Sequence, residues 1–169
     1  MVDLVDIQSV YYMVAATGVL VAAAYYIIAL RSSGKTRQAQ LFMQVYNMIN
    51  SREMCEADYD LMHLDLKDIA DWNELLKDKE KYVSWTQWGN LHEGMGVLVR
   101  ENLVDIRLVA QLLSGPIIWY WEKYEPFIME FRKELNFPRA MIEMEYLYNR
   151  LMKYATEHPD LQIKPPKLP

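Results

Sequence analysis

The stretch IQSVYYMVAATGVLVAAAYYIIAL, from Ile7 to Leu30, is a run of 24 residues without a charge. At a rise of about 1.5 Å per helical residue, its most apolar part, Val10 to Leu30, is about 30 Å long, which is the thickness of a bilayer's hydrocarbon core. A cleaved signal peptide usually has a basic start and an apolar stretch of only about 7–15 residues. We therefore predict that residues 7–30 form a transmembrane helix, with a signal peptide or a buried core helix as the alternatives.

The charges on either side of this segment predict its orientation. Asp3 and Asp6 precede it, and no Lys or Arg does. Three basic residues follow it at once: Arg31, Lys35 and Arg37. Because the excess of Lys and Arg next to a spanning helix stays in the cytoplasm, we expect residues 1–6 to lie outside the cell membrane and the C-terminal part to be cytoplasmic. The three basic residues could also contact anionic lipid headgroups.

Tyrosines and small residues within the segment predict its surroundings. Aromatic rings with a polar tip prefer the headgroup boundary, and four tyrosines lie toward the two ends of the segment: Tyr11, Tyr12, Tyr25 and Tyr26. Gly18 lies in an alanine-rich stretch, which gives the helix a smooth face on which another transmembrane helix could pack. The alternative is that these small residues only face lipid.

The rest of the chain divides into a basic juxtamembrane hinge at residues 31–37, a helical domain at residues 38–158 and a proline-rich tail at residues 159–169. Apolar residues in the domain recur every three or four positions, and no long stretch alternates with period two. The predicted fold class is all-α: a single N-terminal transmembrane helix followed by a compact cytoplasmic helical bundle.

Helical spacing and capping residues predict the elements of this domain. We expect helices at residues 65–77, 80–101 and 105–113, from Pro116 to about residue 135, and from Pro138 to about Glu157. The 80–101 helix is apolar around most of its circumference and should be central. Each glycine in a helix costs about 1 kcal/mol relative to alanine, so close approach of a neighbouring backbone is the simplest explanation of Gly89, Gly94 and Gly96.

Composition excludes several functional classes. The net charge is −5, and no basic stripe of the kind that binds nucleic acid is present. Cys55 is the only cysteine, so the chain can form neither an intrachain disulfide nor a clustered thiolate zinc site. No phosphate-binding glycine loop and no His-Glu-x-x-His element occurs. We therefore predict no cofactor and no enzymatic activity.

A carboxylate–histidine metal site is a weak alternative. In helical bundles such sites use Glu-x-x-His elements on facing helices. The chain offers Asp60 and His63 with that spacing, and the adjacent pair His92 and Glu93, whose side chains point to different faces of a helix. The competing interpretation is that His92 is a hydrogen-bonded core histidine.

A cluster of large rings suggests an interaction surface. By helical spacing, Trp121 and Tyr124 should face the core, together with Ile117, Ile128, Phe131 and Leu135. Trp119 and Tyr120 are then the candidates for exposure to a partner, although ordinary packing would also account for them.

Two motifs in register resemble a known family. The run HEGMGVLVRENLVD, from His92 to Asp105, is followed after a spacer by LLSGPIIWYWEKYEPFI, from Leu112 to Ile128. This pattern resembles an uncharacterised prokaryotic family of small, membrane-anchored helical proteins, known only as a domain of unknown function. The resemblance covers roughly residues 85–148. It implies a helical fold and brings no catalytic residue with it.

Together these features favour an accessory, regulatory or scaffold subunit that contacts a larger integral membrane complex. The short connection between anchor and domain would keep the domain at high effective concentration near membrane partners. A membrane-associated metal sensor or enzyme, and a homo-oligomer formed through the anchor, are the alternatives.

Overall fold

The computed structural model describes residues 4–161 and 163, with side chains from residue 8 onward. Within these residues it contains helices and no strand, which confirms the all-α prediction. The elements are α1 (Leu4–Ile49), α2 (Arg52–His63), α3 (Ile69–Leu75), α4 (Lys79–Arg100), α5 (Ile106–Leu112), α6 (Ser114–Glu134), α7 (Ile142–Glu157) and a 3-10 turn at Pro159–Leu161. The chain forms two compact units, Met1–Gln40 and Leu41–Pro169.

The first unit is the N-terminal part of α1. This helix is long and apolar enough to cross a membrane by length and composition, and none of its most apolar window is buried among the residues that the structure describes. The side chains of residues 8–37 are all exposed, including the four tyrosines that we predict to lie at the lipid headgroup boundary. Of the predicted extracytoplasmic residues 1–6, residues 1–3 lie outside the described part of the chain and residues 4–6 are described by their backbone only.

The predicted hinge at residues 31–37 does not interrupt the helix. Ser32 and Gly34 lie within α1, and the Thr36 hydroxyl donates a hydrogen bond to the Ser32 carbonyl over 3.1 Å, one turn earlier. The helix can continue through these residues because serine and glycine only lower helix propensity by up to about 1 kcal/mol each. Unlike proline, they remove no backbone hydrogen bond.

The second unit is built around α4, as predicted for the 80–101 helix. α4 packs against α2, α3 and α7, and it contributes to both hydrophobic clusters of the unit. One cluster is mainly aromatic and includes Trp85, Trp88, Trp121, Tyr124 and Phe127. The other is mainly aliphatic and includes Phe42, Met95, Val99, Val109, Ile117, Leu147 and Leu151. Phe42 shows that the last two turns of α1 belong to this second core.

Helix α2 was not predicted, and it covers a face of α6. Ser51 caps it, because the Ser51 hydroxyl accepts a hydrogen bond from the Met54 N–H over 3.2 Å. Met54, Ala57 and Leu61 are buried at spacings of three and four residues. This spacing was the available sequence signal for α2, but it is short and interrupted by charged residues.

Several helix boundaries differ from the predicted ones because of local capping. α3 begins at Ile69 and not at residue 65, since the Asp68 carboxylate accepts a hydrogen bond from the Asp71 N–H over 3.0 Å and fixes the start of the helix. Leu75 is buried, whereas Leu76 is exposed. α5 follows its prediction closely, with Asp105 as its N-cap.

The segment before α7 is a series of turns. α7 begins at Ile142 instead of Pro138, and its N-cap residue Met141 has a left-handed backbone with φ 52°. In the predicted tail, Pro159–Leu161 form a 3-10 turn and Ile163 packs against the aliphatic cluster. Residue 162 and residues 164–169, which include Pro165, Pro166 and Pro169, lie outside the described residues.

Candidate functional site

The four candidate metal ligands are not brought together. The Asp60 carboxylate accepts a hydrogen bond from the Ser84 hydroxyl over 2.7 Å, and His63 is an exposed side chain whose Nδ1 lies 2.8 Å from the Tyr59 carbonyl. In the described part of the chain, no group of three or more His, Cys, Asp or Glu side chains could hold a metal ion. Each of these residues makes its own separate contacts, and the four share no site.

His92 is a core histidine. Its side chain is 6% exposed, and its Nδ1 lies 2.8 Å from the Trp88 carbonyl, which can only accept, so Nδ1 carries the proton. The imidazole also lies against the Trp88 ring, with 4.4 Å between ring centroids. Burial lowers the pKa of His92 to about 4, against the opposing effect of the hydrogen bond to Trp88. The residue is therefore neutral near pH 7.

Glu93 holds the start of α7. Its two carboxylate oxygens lie 3.2 Å from the Glu143 N–H and 3.5 Å from the Met144 N–H. The N-cap residue Met141 has no side chain that could accept these hydrogen bonds, so Glu93 of α4 replaces a local cap. Partial burial raises the pKa of Glu93, and the two N–H groups act in the opposite direction. This role accounts for Glu93 without a metal.

Of the two interpretations of Tyr120, exposure to a partner does not apply and packing within the chain does. Tyr120 is 1% exposed, and its hydroxyl donates a hydrogen bond to the Asp58 carboxylate on α2. Burial raises the pKa of Tyr120 well above its usual range, and the Asp58 carboxylate adds to this effect. The physical reason is α2, which covers the face of α6 that spacing alone had left open. Trp121 and Tyr124 are buried, as predicted.

Trp119 is only half-buried. Its ring packs edge-on against Tyr120, and the ammonium of Lys123 lies 5.1 Å from its centroid. The Trp119 ring is therefore partly covered and does not form a separate exposed apolar patch. Gly18, the other candidate interaction residue, has open space around it, and its role in helix pairing stays a prediction.

A pair of α6 side chains caps the C-terminal end of α2. The Lys123 ammonium donates to the carbonyls of Leu61 and Met62, both over 2.9 Å. The Tyr124 hydroxyl lies 2.7 Å from the same Leu61 carbonyl. Sequence reasoning missed this arrangement, since it needs the position of α2. It holds the C-terminal end of α2 against α6.

One cavity of the second unit is an apolar groove of about 760 Å³. It lies between the last turns of α1, the start of α2 and one face of α4, and we call it the α4 groove. Its walls are mainly apolar and include three methionines; the residues that form them are Val45, Met48, Ser51, Glu53, Met54, Gln87, Asn90, Leu91, Gly94, Met95, Val97 and Leu98. Met48 and Val97 remain 55% and 43% exposed.

The three glycines of α4 have different surroundings. At Gly96 an added Cβ would lie 2.6 Å from the Glu143 carbonyl carbon, so the predicted close backbone approach is confirmed there. At Gly89 the neighbour is the flexible end of the Met141 side chain. At Gly94, by contrast, no atom of the described residues lies within 4 Å of an added Cβ, and the residue is exposed in the α4 groove. An intramolecular contact therefore explains Gly96 and Gly89 but leaves Gly94 unexplained.

One comparison with known proteins gives a match. The sequence model of a family described as a domain of unknown function (DUF4760) matches residues 12–151, which is most of the chain and more than the two resembling motifs. No curated protein and no solved structure matches.

Proposed function

The chain belongs to the DUF4760 family, and we propose that it is a membrane-anchored accessory subunit that binds a helix of another integral membrane protein in its α4 groove. The observation that carries this proposal is the groove itself, an apolar surface next to a glycine that no contact among the described residues explains.

The first unit supports the membrane part of the proposal. Its side chains from residue 8 to residue 37 are exposed, and they include large apolar residues such as Leu20, Tyr25 and Ile28. Such a surface is unfavourable in water, where burial of apolar area is worth about 25 cal/mol per Å², and favourable in lipid. The basic residues that follow it favour a cytoplasmic second unit.

Gly94 favours a helix as the occupant of the groove. Glycine in the middle of a helix costs about 1 kcal/mol relative to alanine, and here the absent side chain leaves open space at the groove surface. A missing side chain lets a second backbone approach closely, which is how small residues act where helices cross. A partner helix that crosses α4 at Gly94 would use this space.

The chemistry of the walls suggests an amphipathic helix. Met48, Met54 and Met95 are flexible and polarizable, and methionine-rich grooves adapt to the side chains of bound helices. Glu53 is the only charged residue among those that line the groove. We therefore expect the partner helix to present large apolar residues at helical spacing, with a Lys or Arg placed beside Glu53.

A mild-detergent pull-down of the full-length chain from its own membranes tests this proposal. The variant Gly94→Leu fills the groove and should stabilise α4, because leucine has the higher helix propensity. We expect it to lose the co-purifying membrane protein while its thermal midpoint stays equal or rises. Gly115→Leu is the matched control, since Gly115 also lies in a helix with open space around it and does not line the groove.

Three outcomes would contradict the proposal. The first is equal recovery of the same partner by Gly94→Leu and the wild type. The second is a second copy of this chain as the only occupant, which would favour the homo-oligomer. The third is a lone chain that carries stoichiometric metal, which would favour the sensor or enzyme. Metal content is therefore measured on the same sample.

A further inference from the structure

A second cavity of the second unit has the size and walls of a small-molecule site. It lies between α4, α6 and the turns before α7, and its volume is about 400 Å³. Protein pockets for small ligands range from about 300 to 1,000 Å³. Its walls include Trp85, Phe127, Phe131 and Phe137, so we call it the aromatic pocket.

The aromatic walls are held in fixed positions. The ring of Trp85 packs edge-on against Phe127 with 5.7 Å between centroids, and Phe127 and Phe131 are also 5.7 Å apart. Trp85 and Phe127 are buried, whereas Phe137 is 53% exposed and lies at the edge toward solvent. The cavity is therefore lined by preorganised rings and has an open side.

Two charged residues line the pocket, and only one of them has partners. The Glu93 carboxylate accepts hydrogen bonds from the first N–H groups of α7, as described above. The Arg139 guanidinium, in contrast, forms no ion pair or hydrogen bond with any residue that the structure describes. Arg139 is thus the charge of this pocket that is available to a ligand.

A neighbouring arginine leaves a further donor without an acceptor. Arg132 donates through Nε to the carbonyl of Ala140, a residue that lines the pocket, and through Nη1 to Glu145. Its Nη2 is buried and has no acceptor among the described residues. A buried N–H without an acceptor costs about 1–3 kcal/mol, but Arg132 itself does not line the pocket.

The wall of the pocket also stores backbone strain. Met141 lines it and has a left-handed backbone, with φ 52° and ψ 30°. For a residue other than glycine this conformation costs about 1–2 kcal/mol. Its side chain packs onto Gly89, where a larger residue would displace it. Strain of this kind collects at binding sites, where the surrounding structure maintains it.

We propose that the aromatic pocket binds a small apolar monocarboxylate, an alkyl or arylalkyl acid. The carboxylate pairs with Arg139, because a guanidinium matches a carboxylate with two parallel hydrogen bonds. The apolar part of the ligand packs against Trp85, Phe127 and Phe131. At about 30 Å³ per water-sized group, the cavity has room for about a dozen non-hydrogen atoms. A zwitterion is disfavoured, because Glu93 is already engaged by α7 and is not free to bind an ammonium group.

Ligand-observed NMR on the full-length chain in lipid nanodiscs tests this site, with empty nanodiscs as the blank. The probe is 3-phenylpropionate, which is water-soluble and fits the volume. We expect saturable binding that weakens at least about tenfold in Arg139→Gln, the change that loss of one charged pair produces. Arg107→Gln is the matched control, since Arg107 is an exposed arginine of α5 that does not line the pocket.

Two relatives of the probe, one neutral and one zwitterionic, test which charged groups of the ligand the pocket recognises. 3-Phenylpropanol has the same apolar part without the carboxylate, and phenylalanine adds an ammonium group. We expect both to bind more weakly than the acid. The proposal would be overturned by equal binding of the alcohol and the acid, by tighter binding of phenylalanine, by unchanged binding in Arg139→Gln, or by no saturable binding of the acid up to about 10 mM.

Discussion

Replacing Gly96 with alanine is expected to destabilise the second unit, whereas the same replacement at Gly94 is expected to stabilise it. The new Cβ at Gly96 would lie 2.6 Å from the Glu143 carbonyl carbon and 2.9 Å from the Glu143 Cβ. Carbon atoms pack at about 3.5–4.0 Å, so α7 must move away by about 1 Å. That movement would also lengthen the hydrogen bonds between Glu93 and the start of α7.

The magnitude follows from two opposing effects. Alanine in place of glycine stabilises a helix interior by about 0.5–1 kcal/mol at either position. Overpacking a contact between two helices costs about 1–3 kcal/mol, and this cost applies at Gly96 alone. Because the helix-propensity gain is common to both variants, the difference between their free energies of unfolding should equal the overpacking cost, about 1–3 kcal/mol.

Urea unfolding of the full-length chain in detergent micelles measures this difference. Tryptophan fluorescence reports on the core, since Trp85 and Trp88 are buried beside the helices concerned. The midpoint should be lower than wild type for Gly96→Ala and higher for Gly94→Ala, with equal slopes. If Gly96→Ala were as stable as Gly94→Ala, the close approach of α4 and α7 would not be a property of the fold.

Three further predictions concern buried polar groups. Burial lowers the folded-state pKa of His92 to about 4, below its ordinary value. As the pH falls, the imidazole is therefore protonated in the unfolded chain before it is protonated in the folded chain. Stability should fall between pH 6.5 and pH 4 as a result. The loss of unfolding free energy should be about 3 kcal/mol at most. The urea midpoints at pH 7 and pH 4.5 should therefore differ less in His92→Phe than in wild type. An unchanged difference would rule out His92 as the source of the pH dependence. Tyr120→Phe should lower the unfolding free energy by about 1–3 kcal/mol, because the half-buried Asp58 carboxylate loses its donor. Tyr59→Phe is the control, since Tyr59 is exposed. An equal cost in both variants would contradict the hydrogen bond. Lys123→Met should remove the ammonium that donates to the Leu61 and Met62 carbonyls at the end of α2, and so raise amide exchange in α2 more than in α7. Uniform exchange in both helices would count against this cap.

The sequence predicted the long helices because their signals are local. Apolar periodicity and the flanking caps identified α4 to within one residue at each end, and Asp105 marked the start of α5. The buried stripe of α6, from Ile117 to Ile128, also followed from spacing alone. These features depend on residues three or four positions apart, which a single sequence displays directly.

The parts that were missed depend on contacts between distant residues. The sequence left the burial of Tyr120 open because its cover, α2, is about sixty residues earlier in the chain and has only a weak apolar pattern of its own. The start of α7 was misplaced because its cap is Glu93 on another helix and not a residue beside it. The α4 groove could be suspected only from Gly94, and nothing in the sequence distinguishes it from Gly96, whose surroundings are opposite.

Site-specific photo-crosslinking from the α4 groove tests the central claim most directly. A photoreactive residue replaces Val97, which lines the groove, and in a control it replaces Val83, which lies on α4 outside the groove and is similarly exposed. In native membranes we predict that position 97 forms an adduct with one integral membrane protein. The crosslinked site should map to an amphipathic helix that carries a basic residue. The adduct should be lost when Gly94→Leu is added. The same adducts from both positions, adducts with lipid only, or persistence of the adduct in Gly94→Leu would contradict the proposal that this groove binds a partner helix.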